Sequence, residues 1–389
     1  MTSLLLIGGG HAHAFVLEAF ARQPEPGVSI TLVMPGERAP YSGMVPAWLA
    51  GECRNDDMTL DMAWLAERAG ARLVKDSVVA MQAAEQRVQL AGGEWLEYNQ
   101  ASLNVGATLE APARAPGTQA PGAQAPELLP MRPLDALQER WPALLDEVAA
   151  WPATPPRRVL AVGAGAAGCE TLLAVLARLR AERPDIDWQG SLLGQSAQPL
   201  PGAGRLPAWL MRRELTRAGV TWNGERRAQR LVDQGVEDDR GRVHPADLVL
   251  WATGARGHAW LTQSDLPLDD RGFIPVTDSL AVAVNGSEMA PSLWAAGDCA
   301  AFAPPLPKAG VHAVRMGPVL AENLRHACRG EPARPFQPQR QVLALVGTGN
   351  GHAIASRGAL GIAGRWVWRW KQRIDRRFIA RFTPPYKDQ

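Results

Sequence analysis

Two stretches of the chain share one succession of apolar runs, glycines and helical periodicity. Residues 4–7 form a short apolar run that ends in glycines, residues 11–22 have helical periodicity, and residues 29–34 return to an apolar run. The same order begins again at residues 157–162 and ends with an apolar run at 188–193. A strand, a glycine turn, a helix and a second strand are typical of a βαβ unit. The pattern therefore predicts an α/β protein with two such units.

Proline and glycine divide the rest of the chain. Residues 111–127 are rich in Ala, Pro, Gly and Gln, which predicts a flexible surface loop. A helical pattern at about 133–150 stops at the proline cluster of residues 151–156, because proline neither continues a helix nor donates to a sheet. A strand pattern at 342–346 precedes a basic, aromatic tail.

Composition narrows the class of protein. The 389 residues leave room for two or three domains, and 46% hydrophobic with 21% charged residues exclude a disordered chain and a membrane-spanning bundle. A net charge of +2 gives no nucleic-acid signature, so no nucleic-acid partner is expected. The four cysteines form no C-x-x-C pair, and no metal site is predicted. The first residues lack the features of a signal peptide, which favours the cytoplasm.

The first glycine turn suits the pyrophosphate of a dinucleotide. Gly8 makes the tight turn, Gly10 lets a phosphate approach the backbone, and the helix that follows supplies unpaired N–H groups. His13 stands at the third glycine position, and His11 is a candidate for phosphate or ribose contact. The alternative is that both histidines only fill space. No acidic residue ends the second strand, where a ribose ligand usually stands.

The second glycine turn is a complete G-x-G-x-x-G. It runs from Gly163 to Gly168, and Glu170 follows two residues later. Its position between a strand and a helix predicts nucleotide binding. The acidic residue expected downstream is again missing, and Ser196 would favour a 2′-phosphate although no arginine is near it in sequence. The alternative is a unit that has lost its nicotinamide nucleotide.

Two further turns complete a family pattern. An A-T-G turn ends at Gly254 and an A-x-G-D turn ends at Asp298. With the two glycine turns, in this order, the chain resembles the two-dinucleotide-binding-domain flavoproteins of the pyridine nucleotide-disulfide oxidoreductase superfamily from residue 3 to about residue 382. It is most similar to the branch of type II NADH dehydrogenases and sulfide:quinone oxidoreductases, and within that to the flavoprotein domain N-terminal to some selenide, water dikinases. That likeness rests on G-G-G-H-A-H at 8–13, Y-S-G-M-V-P at 41–46, P-K-A-G-V-H-A-V-R at 307–315, W-R-W-K at 368–371 and I-D-R-R-F at 374–378.

The resemblance implies two Rossmann-like domains, the second inserted in the first, plus a C-terminal segment. An FAD-binding domain would cover residues 1–150 and 256–333, an NAD(P)-binding domain 151–255, and a segment with a basic amphipathic helix 334–389. The cofactors implied are FAD and, as reductant, NADH or NADPH.

The implied binding residues fall into two sets. Those for FAD are Gly8, Gly10, His11, Ala12, Ser42, Gly43, Met44, Val78, Gly106, Gly297, Asp298, Lys308 and Ala309. Those for NAD(P) are Gly163, Gly165, Ala167, Gly168, Glu170, Ser196 and Gly254. Two of these residues would also be catalytic: Lys308 with a helix N-terminus would stabilise anionic reduced flavin, and Glu170 would relay a proton to the acceptor. The alternatives are that Lys308 is a solvated surface lysine and that Glu170 only interacts favourably with the helix dipole.

The family's redox cysteine pair is missing from residues 41–46, where it would lie against the flavin. Cys53 stands alone beyond that segment, and Cys169 and Cys299 do not match the sulfur-carrying pattern of a sulfide:quinone oxidoreductase. We therefore exclude a glutathione-reductase-type mechanism, expect electrons to pass directly from the flavin, and predict that all four cysteines are buried packing residues.

The tail from residue 365 to residue 389 holds eight Lys and Arg residues against two Asp residues, while the rest of the chain is mildly acidic. Apolar residues recur every four positions in it, which predicts a helix with an apolar stripe beside a basic face: Trp366, Trp370, Ile374, Phe378 and Phe382. Such a helix, over 365–382, would make peripheral contact with the inner face of a membrane. The alternative is that the stripe docks on the chain's own flavin domain.

The leading hypothesis is an FAD-dependent oxidoreductase that passes electrons from NAD(P)H to a small acceptor, with a quinone favoured. Two alternatives stay open: reduction of a selenium or sulfur compound, and a flavin-binding scaffold or sensor without turnover. The sequence names neither the acceptor, nor the choice between NADH and NADPH, nor the oligomeric state.

Overall fold

The computed structural model describes residues 1–110, 112–114, 125–283, 292–339 and 341–385. The α-helices in these ranges are α1 (His11–Arg22), α2 (Val45–Leu49), α3 (Met62–Arg68), α4 (Leu134–Ala149), α5 (Ala166–Glu182), α6 (Arg205–Arg217), α7 (Gly310–Arg329) and α8 (Arg365–Arg381). Short 3₁₀ turns lie at Ser42–Met44, Asp56–Met58, Ala259–Gln263 and Gly297–Cys299. Among the described residues, no helix is both long enough and apolar enough to cross a bilayer.

Twelve strands precede α4: β1 (Thr2–Ile7), β2 (Val28–Met34), β3 (Arg38–Pro40), β4 (Thr59–Asp61), β5 (Arg72–Lys75), β6 (Val78–Gln82), β7 (Arg87–Leu90), β8 (Trp95–Glu97), β9 (Gln100–Leu103), β10 (Thr108–Leu109), β11 (Ala113–Arg114) and β12 (Glu127–Pro130), counted over the described part. After α4 come β13 (Arg157–Val162), β14 (Trp188–Leu193), β15 (Val220–Asn223), β16 (Ala228–Val232), β17 (Gly235–Asp238), β18 (Val243–Pro245), β19 (Leu248–Trp251), β20 (Ala255–Arg256), β21 (Ile274–Pro275), β22 (Leu293–Ala295), β23 (Ala300–Ala301), β24 (Ala344–Gly347), β25 (Ala353–Arg357) and β26 (Leu360–Gly364).

The first parallel sheet has the order β22-β9-β1-β2-β5. Strands β1, β9 and β22 are short apolar runs that are mostly buried, as is typical of parallel strands covered on both faces. Helix α1 packs on α7 and α3 over one face. The predicted strand, helix and strand at the start of the chain are confirmed.

The second parallel sheet has the order β12-β19-β13-β14-β15. All of its strands lie between Glu127 and Trp251, whereas β22, later in the chain, joins the first sheet beside β9. The second unit is therefore inserted in the first, and the predicted fold class is confirmed. The carboxyl ends of β13, β14 and β19 carry the second glycine turn, the loop with Ser196 and the A-T-G turn.

Smaller sheets complete the molecule. Strands β6-β7-β8 form one, β11-β16-β17-β18 another, and β24-β25-β26 a third that packs against α6 and α8. The predicted strand at 342–346 is found at Ala344–Gly347. Most of the predicted loop at 111–127 lies outside the described residues, and the described part of it includes β11 and the first residue of β12.

Candidate functional site

The first glycine turn is packed against the end of β9. A Cβ atom on Gly8, whose φ is +91°, would lie 2.7 Å from the carbonyl oxygen of Asn104. A Cβ on Gly10 would overlap the side chain of the same asparagine. Only glycine allows this approach, so the turn at the amino end of α1 is fixed by backbone packing.

Asn104 links the two turns predicted to bind FAD. Its Oδ1 accepts a hydrogen bond from the backbone N–H of Ala12 at 2.9 Å, and its Nδ2 donates to the carbonyl of Ala296 at 2.6 Å. The side chain thus joins the first turn of α1 to the Gly297 turn. The sequence analysis missed Asn104, although a polar residue directly after a buried strand was the available signal.

The two histidines have different surroundings. His13 is fully buried, with Nδ1 2.7 Å from the Gly8 carbonyl and Nε2 2.9 Å from Ser102 Oγ, and burial lowers its pKa to about 4. It fills the third glycine position as a neutral packing residue. His11 lies at the first position of α1, its ring centroid 5.2 Å from that of Tyr41, and burial lowers its pKa as well.

The start of α7 meets the segment after Tyr41. A Cβ on Gly310 would lie 2.7 Å from Ser42 Oγ and 3.6 Å from the His11 ring, so the start of α7 packs closely on both residues. Ala309 is the N-cap of α7, and His312 in its first turn is buried with an Nδ1 that has no partner among the described residues. Such an orphaned ring nitrogen indicates a ligand that completes it.

Asp298 forms an ion pair with Arg132, and both side chains are largely buried. Arg132 follows β12 of the second unit, so this pair bridges the two units beside the Gly297 turn. The sequence analysis did not identify Arg132. The negative charge of Asp298 also acts on His11 and His312, the histidines at the starts of α1 and α7.

The contacts of three other residues predicted to bind FAD, Lys308, Val78 and Gly106, are as follows. Lys308 Nζ donates to the carbonyl of Ala300 at 2.6 Å and lies 3.8 Å from the ring centroid of Phe273, and burial lowers its pKa. The structure therefore shows its ammonium occupied by a carbonyl and an aromatic face. Val78 begins β6 and packs in the core beside the first sheet, and Gly106 follows β9 with φ +75°.

The second glycine turn differs from the first in its packing. A Cβ on Gly168 would overlap the carbonyl oxygen of Gly163, whereas Gly165 faces open space. Gly165 caps α5, and Ala167 lies in the exposed first turn. The structure brings Gly254 to the same edge, since β19 and β13 are neighbours.

Glu170 lies in a buried group of ionisable side chains that α8 completes. Its Oε1 accepts a hydrogen bond from the backbone N–H of Gly347, and burial raises its pKa to about 7. Lys371 Nζ donates to Asp375 Oδ2 at 2.8 Å and to the Gly43 carbonyl at 2.6 Å. The sequence analysis placed neither Lys371 nor Asp375 in the site.

The apolar stripe predicted for α8 is divided between two faces. Phe378 stacks on Tyr41 at 4.5 Å between ring centroids, and Phe382 packs on Phe15. Trp366, Trp370 and Ile374 are exposed instead. The buried face includes the ion pair of Lys371 and Asp375, so the helix docks on the chain's own body, and the prediction of one continuous stripe is wrong.

All four cysteines lie in the described residues and are free thiols. Cys169 and Cys299 are buried as predicted, but the prediction is wrong for Cys53 and Cys328, which are half-buried. Burial raises the pKa of Cys53, Cys299 and Cys328 to about 11 and that of Cys169 to about 12. The thiols are therefore protonated at neutral pH. Among the described residues no cluster of ligating side chains could hold a metal ion.

Comparison with known proteins decides the family. The model of the family described as "Pyridine nucleotide-disulphide oxidoreductase" matches residues 2–317. The chain belongs to this family. It is therefore an oxidoreductase of a fold that uses FAD and a nicotinamide dinucleotide, although it has no cysteine at residues 41–46. No curated protein matches the chain.

Solved structures of this family share the fold at low identity. The sulfide:quinone oxidoreductase of Aquifex aeolicus is 15% identical, with a TM-score of 0.77 over 98% of this chain and 91% of that one. NDH2 of Plasmodium falciparum, in complex with NADH, is 12% identical, with a TM-score of 0.75 over 97% and 98%. A NAD-dependent persulfide reductase of A. fulgidus is 18% identical, with a TM-score of 0.69 over 95% and 66%.

The residues present fit FAD. Gly8 and Gly10 give α1 an N-terminus without a side chain, Asp298 offers a carboxylate, and the start of α7 presents the Nδ1 of His312, which has no partner among the described residues. Helix N-termini favour anionic groups. Arg132 adds a positive charge beside Asp298.

Proposed function

We propose that the protein transfers electrons from NAD(P)H to a quinone through non-covalently bound FAD. When bound, FAD accepts a hydride from the reduced nicotinamide and passes the two electrons on, so that NAD(P)H, a proton and a quinone give NAD(P)⁺ and a quinol. The protein must then bind the two dinucleotides at its glycine turns and deliver protons to the acceptor.

The buried group around Glu170 carries this proposal. A general acid works best when its pKa lies near the working pH, and the pKa of Glu170 is raised to about 7. Its carboxyl therefore holds a proton in part of the molecules and is free of it in the rest. Lys371 and Asp375 lie beside it, and each influences the charge of Glu170.

This group reaches the segment predicted to contact FAD. Lys371 donates to the carbonyl of Gly43, and Tyr41 donates to Asp375 Oδ1 at 3.2 Å. Hydrogen bonds thus connect α8 to residues 41–43, and the charge of Glu170 on α5 interacts with the same two side chains of α8. This arrangement supports proton delivery to an acceptor that binds where these elements meet.

The cysteines favour a direct transfer of electrons. A thiol attacks or carries sulfur as the thiolate, and burial keeps all four thiols protonated. Residues 41–46, whose Ser42 lies against Gly310, contain no cysteine. These observations support a quinone over a sulfur or selenium compound as acceptor.

We also propose that an exposed apolar face near α8 contacts the cytoplasmic face of a membrane with anionic lipids. Trp366, Trp370 and Ile374 on α8 are 53%, 38% and 40% exposed, and Leu360 and Ile362 on the adjacent β26 are 74% and 50% exposed. Arg365, Arg369 and Arg373 share the exposed part of α8. Apolar side chains beside arginines are typical of helices that lie in a membrane interface. A quinone dissolved in the bilayer would then reach the protein from this side.

The test of the reaction is an anaerobic titration of the FAD-loaded protein. NADH or NADPH should bleach the flavin absorbance, and a short-chain quinone should then restore it in stoichiometric amount. Bleaching by neither nucleotide would reject the proposal and favour a flavin-binding scaffold. Bleaching that is reversed by a persulfide or a selenium compound, and not by the quinone, would reject the quinone as acceptor.

The test of membrane contact is flotation with phosphatidylglycerol vesicles. We expect the protein to float with them and the double variant Trp366→Ser and Trp370→Ser to stay at the bottom. Trp95→Ser is the control, because Trp95 is also exposed but lies on β8. Equal flotation of both variants, or no flotation of the parent, would contradict the proposal.

A further inference from the structure

Most of the large apolar side chains that the structure exposes lie on three elements. Eleven such side chains are exposed among the residues that the structure describes, and seven of them belong to α6, β26 and α8. Five of the seven, on β26 and α8, form the face proposed above to contact a membrane. The other two, Leu206 and Trp209, lie on α6 of the second unit and are 44% and 56% exposed. This concentration of exposed apolar side chains indicates an interaction surface.

Helix α6 begins beside the hairpin of β25 and β26. The backbone N–H of Gly204, the N-cap of α6, donates to the carbonyl of Gly358 in the hairpin turn at 3.0 Å. A Cβ atom on Gly361 of β26 would lie 2.9 Å from Pro207 Cγ, so α6 packs closely on this strand. Strand β26 ends at Gly364, and α8 begins at the next residue. The exposed apolar side chains of the second unit and of the C-terminal segment therefore belong to adjoining elements.

The segments that form these elements are rich in arginine and nearly free of acidic residues. Between residues 188 and 224 the one acidic residue is Glu214, and residues 332–374 contain none. Glu214 is 4% exposed, and Asp375, the one acidic residue of α8, is 7% exposed. The charges that α6 and α8 present to solvent are therefore those of arginines. The rest of the chain is mildly acidic, so this distribution is a local property of two segments that are distant in sequence.

One face of α6 combines both kinds of side chain. At 3.6 residues per turn, Arg205, Trp209 and Arg212 lie on the same side of the helix, and Leu206 borders them. These four residues are exposed, whereas Met211 on the opposite side is buried. Arginines beside tryptophan and leucine are typical of a helix that lies in the interface of an anionic membrane.

Charge decides between the possible occupants of this surface. A second copy of the chain would place arginines against arginines, which is unfavourable. An anionic lipid surface takes up the apolar side chains and attracts the guanidinium groups at the same time. We propose that α6 lies on an anionic lipid surface together with β26 and α8, so that the membrane holds the second unit as well as the C-terminal segment. This inference rests on the membrane contact in the proposed function and extends that contact to the second unit.

The experiment is partition of the FAD-loaded protein between buffer and phosphatidylglycerol vesicles, measured by sedimentation over a range of lipid concentrations. We expect the double variant Leu206→Ser and Trp209→Ser to bind at least about tenfold more weakly than the parent, because the burial of two large apolar side chains is lost. The double variant Arg205→Gln and Arg212→Gln should also bind about tenfold more weakly, because two attractions to the anionic surface are lost. On phosphatidylcholine vesicles, which carry no net charge, this second variant should bind like the parent.

The matched controls lie elsewhere on the second unit. Val243→Ser removes an exposed apolar side chain of β18, and the double variant Arg240→Gln and Arg242→Gln removes two exposed arginines near it. Both controls should partition like the parent. All of these variants should retain FAD and react with a short-chain quinone in solution as the parent does, because the substituted side chains are exposed.

Three results would overturn the inference. Partition of both α6 variants like the parent would confine the contact to β26 and α8, and would leave the proposed membrane contact intact. No partition of the parent would remove the membrane contact together with the inference, but not the transfer of electrons to a soluble quinone. Dimerisation of the parent in the absence of lipid, abolished by Leu206→Ser and Trp209→Ser, would assign the surface to a second copy of the chain.

Discussion

Tyr41 donates a hydrogen bond from its hydroxyl to Asp375 Oδ1 at 3.2 Å, across 334 residues of chain. The same tyrosine ring stacks on Phe378, one turn of α8 further on. Arg381, at the end of that helix, forms an ion pair with Glu18 of α1 at 2.6 Å. The last described helix is therefore part of the wall of the candidate site.

Removal of the ammonium of Lys371 should destabilise the protein strongly. Lys371→Met leaves Asp375 buried without its partner, which typically costs about 3–5 kcal/mol. The measurement is the free energy of unfolding in urea. Lys75→Met is the control: the ion pair of Lys75 with Glu37 is more than half exposed, so the loss there should stay below about 1 kcal/mol. Similar losses in both variants would show that the buried pair of Lys371 and Asp375 contributes no more to the free energy of unfolding than an exposed pair does.

The pKa of Glu170 predicts a pH dependence with a definite sign. Burial raises its pKa in the folded protein to about 7 from the ordinary value of 4.5, so the folded protein binds more protons than the unfolded chain between these pH values. The free energy of unfolding should therefore fall as the pH rises from about 4.5 to 7, and Glu170→Gln should reduce that fall. The rate of flavin reoxidation by quinone should also lose an inflection near pH 7. Glu67→Gln, on the exposed side of α3, is the control: it should keep both the fall in the free energy of unfolding and the inflection in the reoxidation rate. Identical pH profiles for the parent and Glu170→Gln would contradict the role of this carboxyl.

Asp298→Ala should lose FAD. The side chain lies beside the Gly297 turn, and the family resemblance implies that it binds the ribitol of FAD. The substitution also removes the ion-pair partner of Arg132. We expect a colourless protein after gel filtration, with an unchanged far-ultraviolet circular dichroism spectrum. Asp278→Ala, an exposed aspartate of the first unit, should stay yellow. Unchanged FAD affinity in Asp298→Ala would show that this carboxylate does not hold the cofactor.

Gly165→Ala separates folding from nucleotide binding. A Cβ atom there meets nothing within 4 Å and the backbone φ is −69°, so the variant should be as stable as the parent. If the turn holds a pyrophosphate, the added methyl group should weaken NADP⁺ or NAD⁺ by about tenfold or more. The checks are thermal unfolding and calorimetry, with Gly36→Ala as a control that also faces open space. Unaltered affinity in Gly165→Ala would place the nucleotide elsewhere.

Local patterns were sufficient for the strands and helices of the two βαβ units and for their glycine turns. Each depends on residues that are neighbours in sequence, as the strand Arg157–Val162 and the turn from Gly163 to Gly168 show. Asn104, Arg132 and Lys371 were not identified, because each acts on a segment that is distant in sequence.

The division of the α8 stripe has a simple geometric cause. At 3.6 residues per turn, each step of four residues rotates the side chain by about 40° beyond a full turn. Over the four steps from Trp366 to Phe382 this becomes about 160°, so the two ends point to nearly opposite sides. The observed exposure of Trp366 and complete burial of Phe382 agree with that rotation.

The contact between Tyr41 and Asp375 also has a consequence for biosynthesis. At roughly 5–20 residues per second, a ribosome needs about 15 to 70 seconds to translate the stretch between the two residues. During that interval the Gly43 carbonyl and the Tyr41 hydroxyl have no access to Lys371 and Asp375, whatever else has already folded. Nascent chains therefore pass through a stage in which the strands of both parallel sheets have been synthesised but α8, one wall of the candidate site, has not.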